Sequence, residues 1–175
     1  MLELIKRCPE YVQGYREYSR ELYENGEPYF RPMPPEAIDE AWFFRTKPWY
    51  DKKEQGLVGD HARSFHYWAV DEGRFVGEFQ CRLDFTEKVL NDIGSIGYAV
   101  RPSAWGKGYG TEILRQGLII AKSLGMEKVM FTVNEENLRS IRVIEKTGAV
   151  WTDTIDAYNE AEGQHRLRRY WITLL

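Results

Sequence analysis

The spacing of hydrophobic positions predicts two helices in the first third of the 175-residue chain, after one short strand. The alternating segment LELIKR at 2–7 predicts that first strand. The next segment opens at Pro9, repeats apolar side chains at helical spacing and stops at Gly26, which predicts a helix. Residues 35–56 predict a second helix, broken near Pro48. The proline-rich stretch 27–35 must be extended or turning, and residues 57–64 predict a loop.

Beyond residue 64 the pattern changes to strand spacing and then alternates between strands and helices. Segments 65–70 and 75–85 predict two strands joined by a tight turn, followed by a polar connection at 86–92. The remaining predictions are strands at 93–100, 127–133, 149–158 and 165–175, helices at 109–124 and 137–148, and a loop at 159–164. The helix at 109–124 turns Ile113, Leu114, Ala121 and Leu124 inward. The order β-α-α-β-β-β-α-β-α-β-β predicts one mixed α/β domain over residues 1–175.

Composition and charge narrow the class of protein. A net charge of −3 and a pI of about 5.7 argue against nucleic-acid binding, and the basic segment RLRRYW at 166–171 is typical of a solvated strand face. No stretch approaches the roughly 20 apolar residues of a membrane span, and the N-terminal segment does not resemble a signal peptide. Cys8 and Cys81 are far apart, which predicts reduced thiols and a cytoplasmic protein, with Cys81 in the core. No metal site is expected, because Cys-x-x-Cys is absent and only three histidines occur.

Three glycines stand where the strand at 93–100 gives way to the following helix. Such a loop can turn unpaired N–H groups of the helix start toward an anion. Gly106, Lys107, Gly108, Tyr109, Gly110 and Thr111 therefore predict a pyrophosphate cradle, in which the Thr111 hydroxyl caps the helix or binds phosphate and Lys107 adds a cation. An ordinary glycine-rich loop is the alternative. The spacing fits neither a Walker loop nor a dinucleotide-binding fingerprint.

The segments GYAVRPSAWGKGYGTEIL (97–114) and MEKVMFTVNEENLRSIRVIEKTGAV (126–150) together resemble the GNAT superfamily of acyl-CoA-dependent N-acetyltransferases. Gly108 and Gly110 fall on the two glycine positions of the family motif, and Trp105 stands where Gln or Arg is usual. The resemblance implies a central mixed, mostly antiparallel sheet of about seven strands, splayed between strands 4 and 5, with helices on both faces. It also implies a coenzyme-binding core at about 75–150 and substrate-side helices at about 9–60.

The resemblance further implies transfer of an acetyl group from the cosubstrate acetyl-CoA to a primary amine by direct attack, without a metal. Backbone groups of Tyr98, Ala99 and Val100 would hold the thioester oxygen and the pantetheine arm. Asn137 would contact pantetheine, with helix capping as the alternative. The usual acidic Tyr is replaced by Ile144, so the role at the coenzyme sulfur falls to Ser140.

The proton acceptor and the amine are less defined by sequence. Ser95 stands where some relatives carry a Glu base, so Glu78 is the best carboxylate, with Gln80 and Arg82 on its strand face. A Glu78–Arg82 salt bridge is the structural alternative, and His66 or a water relay are the chemical ones. Aromatic residues in loop-like settings would grip the acceptor or fill the core: Tyr29, Phe30, Trp49 and Tyr50.

Several interpretations stay open at this point. The acceptor could be a peptide N-terminus, a lysine, a polyamine or an aminoglycoside-like amine, and the chain could form a homodimer. A non-catalytic acyl-CoA-binding or regulatory module on the same fold is the alternative function, because Ser95 and Ile144 leave two frequent catalytic positions vacant. Nucleotide binding through the glycine loop is the third.

Overall fold

The computed structural model describes residues 1–30, 32–159 and 162–174, which form seven strands and four α-helices. The order is the predicted one: β1 Glu3–Lys6, α1 Val12–Glu24, α2 Glu40–Glu54, β2 Ser64–Asp71, β3 Arg74–Arg82, β4 Ile96–Val100, α3 Tyr109–Ser123, β5 Lys128–Asn134, α4 Leu138–Glu145, β6 Val150–Asn159 and β7 Gly163–Thr173. The middle of the predicted 159–164 loop, at 160–161, lies outside the described residues.

The seven strands divide into two sheets, with the order β1-β2-β3-β4 in one and β5-β7-β6 in the other. Every ladder within each sheet is antiparallel. The sheets meet just before β4, where the Ser95 N–H donates to the Met130 carbonyl at 2.8 Å, and they diverge from there. The predicted splay between the fourth and fifth strands is thus confirmed, and it is wide enough to interrupt the sheet.

Helices cover both faces of the first sheet, as predicted, because its strands bury apolar side chains on each side. On one face Tyr15 of α1 stacks between Trp42 of α2 and Trp68 of β2, with ring centroids 5.5 and 5.2 Å away. On the other face α3 packs closely on β3. A Cβ at Gly117 would overlap the Phe79 ring, so only glycine permits this approach. The predicted inward residues Ile113, Leu114 and Ala121 are fully buried there, and Leu124 is partly buried.

Two predicted elements differ from the structure. Helix α2 is not broken at Pro48 and runs through it. Asp39 caps the helix by accepting from the Trp42 N–H at 2.6 Å, and Trp42 and Phe43 are buried, whereas the carbonyl that Pro48 leaves unpaired belongs to exposed Phe44. Packing and capping therefore outweigh the lost hydrogen bond. Likewise, the polar connection at 86–92 is not a simple loop but ends in a π-helical segment, Val89–Ile93, anchored by buried Val89.

Three further features relate to the sequence-based expectations: the burial of Cys81, the character of the helices and the placement of possible metal ligands. Cys81 is buried, as predicted, and its thiol donates to the Met126 sulfur. Among residues 1–30, 32–159 and 162–174, no helix has the length and apolar character that crossing a membrane requires. In the same ranges, no three His, Cys, Asp or Glu side chains gather in a way that could hold a metal ion.

Candidate functional site

The splay between β4 and β5 opens a cavity of about 730 Å³. Its walls come from β3 and β4, the loop before α3, the C-terminal end of β5, the start of α4 and the β6–β7 hairpin. All predicted site residues except Lys107 line it: Glu78, Tyr98, Ala99, Val100, Trp105, Gly106, Gly108, Tyr109, Gly110, Thr111, Asn137 and Ser140. The structure therefore brings the two sequence motifs and the predicted carboxylate to one site.

The glycine loop leaves the first turn of α3 open toward the cavity. Gly106 and Gly108 have φ values of +75° and +84°, a backbone region that other residues rarely adopt. The N–H groups of the first turn of α3 have no intrahelical partner, as at any helix start, and among the described residues no side chain caps the helix at its N-cap, Gly108. Thr111 lies inside the helix and is not its cap, contrary to one of the two expectations for its hydroxyl. These free donors and the helix dipole favour an anion.

Gly110 and Lys107 contribute differently from what the motif alone suggests. A Cβ at Gly110 would lie 3.4 Å from the Tyr98 ring and 3.5 Å from Val143, which are ordinary contact distances, so the packing of α3 on β4 and α4 does not require glycine here. Lys107 is exposed, and its ammonium donates to the Ser103 carbonyl at 3.0 Å. The cradle is therefore built from backbone N–H groups, and Lys107 adds positive charge only from outside the cavity.

A glutamate on α1 holds the loop that carries these glycines. The Glu21 carboxylate accepts hydrogen bonds from the Arg101 guanidinium and from the Ser103 N–H, the latter at 3.0 Å. Arg101 is buried and also donates to the Phe75 carbonyl at 3.0 Å. Sequence reasoning missed Glu21, because a glutamate on the polar face of a predicted helix carries no signal of a distant partner.

Two hydroxyls meet at the end of the cavity near α4. The Tyr98 phenol lies 3.0 Å from the Ser140 hydroxyl, and either oxygen can be the donor. Burial raises the pKa of Tyr98 to about 12, so the phenol keeps its proton at neutral pH. Ile144, at the position where the sequence resemblance places a tyrosine, is buried one turn after Ser140. The sequence had assigned only the backbone of Tyr98; its side chain is an additional candidate.

Asn137 caps α4, since its side-chain oxygen accepts from the Ser140 N–H at 3.2 Å. This is the capping alternative considered from sequence. The side chain nevertheless lines the cavity, and its amide nitrogen is not used by the cap bond. The bond also fixes the start of the helix on which Ser140 stands.

Glu78 lines the cavity and lies on the face of the first sheet that packs against α1. The Tyr18 phenol donates to its carboxylate at 3.0 Å. Burial raises the pKa of Glu78 to about 7, although the Tyr18 bond and the charge of Arg7 oppose the rise. The Glu78–Arg82 salt bridge considered from sequence is wrong: Arg82 donates instead to the Ile93 and Gly94 carbonyls, both at 3.1 Å.

The other two positions considered for the base, Ser95 and His66, are held by contacts within the fold. The Ser95 hydroxyl is buried, donates to the Met130 carbonyl at 2.9 Å and accepts from the Met130 N–H at 2.6 Å. Burial, together with the charges of Lys53, Arg82 and other cations, lowers the pKa of His66 to about 2. The His66 ring contacts the Gln80 amide at 2.9 Å and does not line the cavity. Glu78 is thus the group among these that both faces the cavity and titrates near neutrality.

A bridge of three side chains crosses the cavity between the two halves of the molecule. The Arg139 guanidinium lies 3.7 Å over the Trp105 ring and donates to the Glu27 carboxylate at 2.7 Å. The Trp105 indole N–H donates to the Val100 carbonyl at 2.8 Å, so that carbonyl already has one partner. Sequence reasoning missed Arg139 and Glu27, which carry no motif of their own.

The four aromatic residues considered for acceptor binding separate into two pairs. Tyr29 and Phe30 line the cavity. Trp49 and Tyr50 do not, and they lie within α2 instead of a loop, which corrects their predicted setting. The Tyr50 ring is instead covered by the Arg7 guanidinium at 3.6 Å.

Comparison with known proteins agrees with this geometry. The family model described as an acetyltransferase (GNAT) domain matches residues 12–150. The fold is similar to that of RimL, described as a ribosomal L7/L12 alpha-N-protein acetyltransferase in complex with coenzyme A, with a TM-score of 0.75, 12% identity and coverage of 99% of this chain and 94% of that one. RimJ from Mycobacterium smegmatis, in complex with a CoA-disulfide, gives a TM-score of 0.79, 18% identity and coverage of 98% and 81%. The microcin C7 self immunity acetyltransferase MccE, in complex with acetyl-CoA and AMP, gives a TM-score of 0.76 and 12% identity, with coverage of 98% of this chain and 92% of that one.

Proposed function

The chain belongs to the GNAT acetyltransferase family, and from that premise we propose that it transfers an acetyl group from acetyl-CoA to a primary amine by direct attack in a ternary complex. Residues 1–175 act as one domain in this proposal, with the coenzyme held by about 75–150 and the acceptor by the N-terminal helices. The acceptor in this proposal is a peptide N-terminus, a lysine, a polyamine or an aminoglycoside-like amine. The proposal also allows a homodimer. A cytoplasmic location belongs to the proposal because Cys8 and Cys81 are free thiols.

The residues present fit the cosubstrate, whose thioester supplies an activated acyl group. The open first turn of α3 and the left-handed glycines at 106 and 108 would hold the pyrophosphate. The edge of β4 that faces the splay would take the pantetheine arm through the backbone of Tyr98, Ala99 and Val100. Because the Val100 carbonyl already accepts from Trp105, its part in that pairing is the weaker one. Asn137 would add its amide nitrogen, which the cap bond does not use.

Glu78 acts as the base in this mechanism. An ammonium acceptor must lose a proton before its nitrogen can attack, and a carboxylate with a pKa of about 7 is matched to that task at neutral pH. A backbone N–H near the end of β4 stabilises the negative charge on the acyl oxygen. Glu78 takes the ammonium proton, directly or through one water, and releases it to solvent. As the new C–N bond forms and the C–S bond breaks, the second proton of the attacking nitrogen passes to the leaving thiolate, so that the products are an amide and a thiol.

Ser140 and Tyr98 serve the leaving thiolate together. Ser140 lies on α4 and donates toward the sulfur, while Tyr98 donates to Ser140 across their 3.0 Å contact. A thiolate needs little assistance as a leaving group, because free thiols ionise at a pKa of roughly 8.5. A relayed hydrogen bond is therefore sufficient, and Ile144 is no obstacle to catalysis.

One observation carries the proposal: a carboxylate that titrates near neutrality and a pair of hydroxyls flank the same cavity, next to an anion cradle. The test is release of coenzyme A thiol from acetyl-CoA with a panel of amines that includes peptides, polyamines, lysine derivatives and aminoglycosides. Turnover on at least one amine, with a kcat that falls in Glu78→Gln and in Ser140→Ala, supports an enzyme. Tight acetyl-CoA binding without turnover on any amine favours the non-catalytic acyl-CoA-binding module.

A further inference from the structure

A half-buried guanidinium with no carboxylate partner within 4.0 Å among the described residues lies on the acceptor side of the cavity. Arg82 is at the end of β3, on the face that also carries Glu78 and Gln80, and it lines the cavity. Its three hydrogen bonds go to the Ile93 and Gly94 carbonyls and to the Gln80 amide oxygen. Among residues 1–30, 32–159 and 162–174, no ion pair within 4.0 Å includes Arg82. Burial lowers its pKa to about 10, so it is a cation at neutral pH.

The surroundings of Arg82 add more positive charge. Lys53 of α2 is buried, its ammonium lies 4.6 Å over the Trp49 ring, and the charge of Arg82 acts on it. Arg7 keeps a buried nitrogen without a hydrogen-bond partner in the described residues. Three carboxylates act on these cations, Asp92 on Arg82 and both Glu78 and Asp51 on Arg7, and among the described residues none of the three is within 4.0 Å of either guanidinium. Buried positive charge without a matched anion favours binding of one.

The neighbouring strand leaves Arg82 accessible from the cavity. Gly97 of β4 pairs with Gln80 of β3. A Cβ at Gly97 would lie 3.5 Å from one terminal nitrogen of Arg82, 3.7 Å from the other and 3.8 Å from the Gln80 oxygen. The missing side chain therefore keeps open a space directly beside the guanidinium. A planar guanidinium approached from such a space suits a carboxylate or phosphate oxygen.

We propose that Arg82, with Gln80 beside it, binds an anionic group of the acceptor, so that the acceptor is an amine that also carries a carboxylate or a phosphate. The inference rests on the proposed function, because the amine of the same molecule must reach Glu78. Four residues along one strand separate Glu78 from Arg82, about 13 Å at the usual rise per residue. The long Arg82 side chain shortens the gap, so the two charged groups of the acceptor lie several bonds apart.

The test compares ω-amino carboxylates of increasing chain length with their primary amides, and amino-alkyl phosphates with the parent amino alcohols. The wild-type protein should acetylate an anionic member of a pair with a kcat/KM about tenfold to a hundredfold above its neutral counterpart, as for a charge-assisted hydrogen bond. The first series reports a carboxylate and the second a phosphate. Arg82→Gln should remove the preference for the anionic member of each pair, whereas Arg82→Lys should keep part of it.

Two further variants separate this role from a structural one. Gly97→Ala retains the guanidinium but fills the space beside it, and should also reduce the preference. Arg45→Gln removes an exposed arginine of α2 that does not line the cavity, and should leave the preference intact. Neutral and anionic amines acetylated equally well by the wild type would overturn the anion site while the proposed function stands.

Binding decides the point without turnover. The probes are an N-acetylated ω-amino carboxylate and its amide, titrated by calorimetry into the protein saturated with coenzyme A. Tighter binding of the carboxylate to wild type than to Arg82→Gln supports the anion site even if no amine in the panel is acetylated. Equal binding of both probes to both proteins overturns it.

Discussion

At the scale of single residues, their surroundings give two glutamates opposite behaviour. Burial raises the pKa of Glu78 to about 7, because one Tyr18 hydrogen bond and the charge of Arg7 do not compensate for lost water. Burial also pushes the pKa of Glu21 upward, but hydrogen bonds from Arg101 and Ser103 outweigh it and lower that pKa below its usual range. Glu21 is thus a fixed anion that holds a loop, and Glu78 is a group that can exchange a proton.

Catalysis should depend on pH through the ionisation of Glu78. If Glu78 must be ionised to accept the proton, kcat/KM on a good amine should fall below pH 7, following the pKa of about 7. Glu78→Gln should lower kcat by about a hundredfold or more and flatten this acidic limb. Steady-state rates across the pH range give both quantities. An unchanged profile in the variant would assign the proton to a water relay.

The same shift predicts an effect on stability with a definite sign. The pKa of Glu78 is about 7 in the folded protein, against an ordinary value of 4.5, so the folded state holds more protons between these two pH values. Stability contributed by this group is present at low pH and is lost as pH rises through the folded pKa. The melting temperature of Glu78→Gln should therefore be higher than that of the wild type at pH 8. At pH 4.5 the two melting temperatures should differ little. A higher melting temperature for wild type at pH 8 would contradict the raised pKa.

The hydroxyl pair makes the third prediction. Ser140→Ala should lower kcat by about tenfold to a thousandfold with little change in acetyl-CoA affinity. Tyr98→Phe should do the same if the phenol acts through Ser140, and the double variant should be no worse than the poorer single one. Additive losses would show that the two hydroxyls act separately. A wild-type kcat in Ser140→Ala would reduce Ser140 to a helix residue.

At the scale of elements, the glycine loop works through backbone geometry more than through side chains. Gly108→Val should remove acetyl-CoA binding, because a left-handed conformation is costly for a branched residue and the N–H groups would turn away. Gly125→Val is the matched control. Gly125 follows α3 with φ +89° and no atom within 4 Å of where a Cβ would stand, just as Gly108 has φ +84° and open space. Both variants carry similar strain, so loss of ligand binding only in Gly108→Val locates the cradle, measured by calorimetry.

The elements were predictable from sequence where a local pattern determines them. Helix ends at Gly125 and Gly148 and the seven strands follow from periodicity and glycine stops, and the meeting of the glycine loop with the start of α4 at one cavity follows from two linked motifs. The path of α2 through Pro48 was not predictable, because burial of Trp42 and Phe43 is a tertiary effect. The contacts of Tyr98 with Ser140 and of Arg139 with Glu27 were also not predictable from sequence. Each joins residues far apart in sequence, at separations of 42 and 112 positions.

At the scale of the whole molecule, two sheets that meet at Ser95 and diverge beyond it are tied across the cavity by side chains. Arg139 of α4 reaches Trp105 and Glu27, which belong to the other half. A ligand in the splay contacts both halves at once. Because it binds the folded arrangement and not the unfolded chain, it should stabilise the protein as a unit.

Acetyl-CoA should therefore raise the melting temperature of the full chain. At a ligand concentration about 100-fold above Kd, mass action adds about 2.7 kcal/mol to the free energy of unfolding. For a chain of 175 residues this corresponds to a shift of roughly 5–10 °C. Differential scanning fluorimetry with acetyl-CoA, ATP and NAD in parallel distinguishes the interpretations of the glycine loop. A shift with acetyl-CoA alone supports the acetyltransferase site, and a shift with ATP or NAD but not with acetyl-CoA would favour a nucleotide site. An unchanged melting temperature at millimolar acetyl-CoA would show that the protein does not bind this ligand. It would therefore refute the assignment of the glycine loop as a cradle for the coenzyme pyrophosphate.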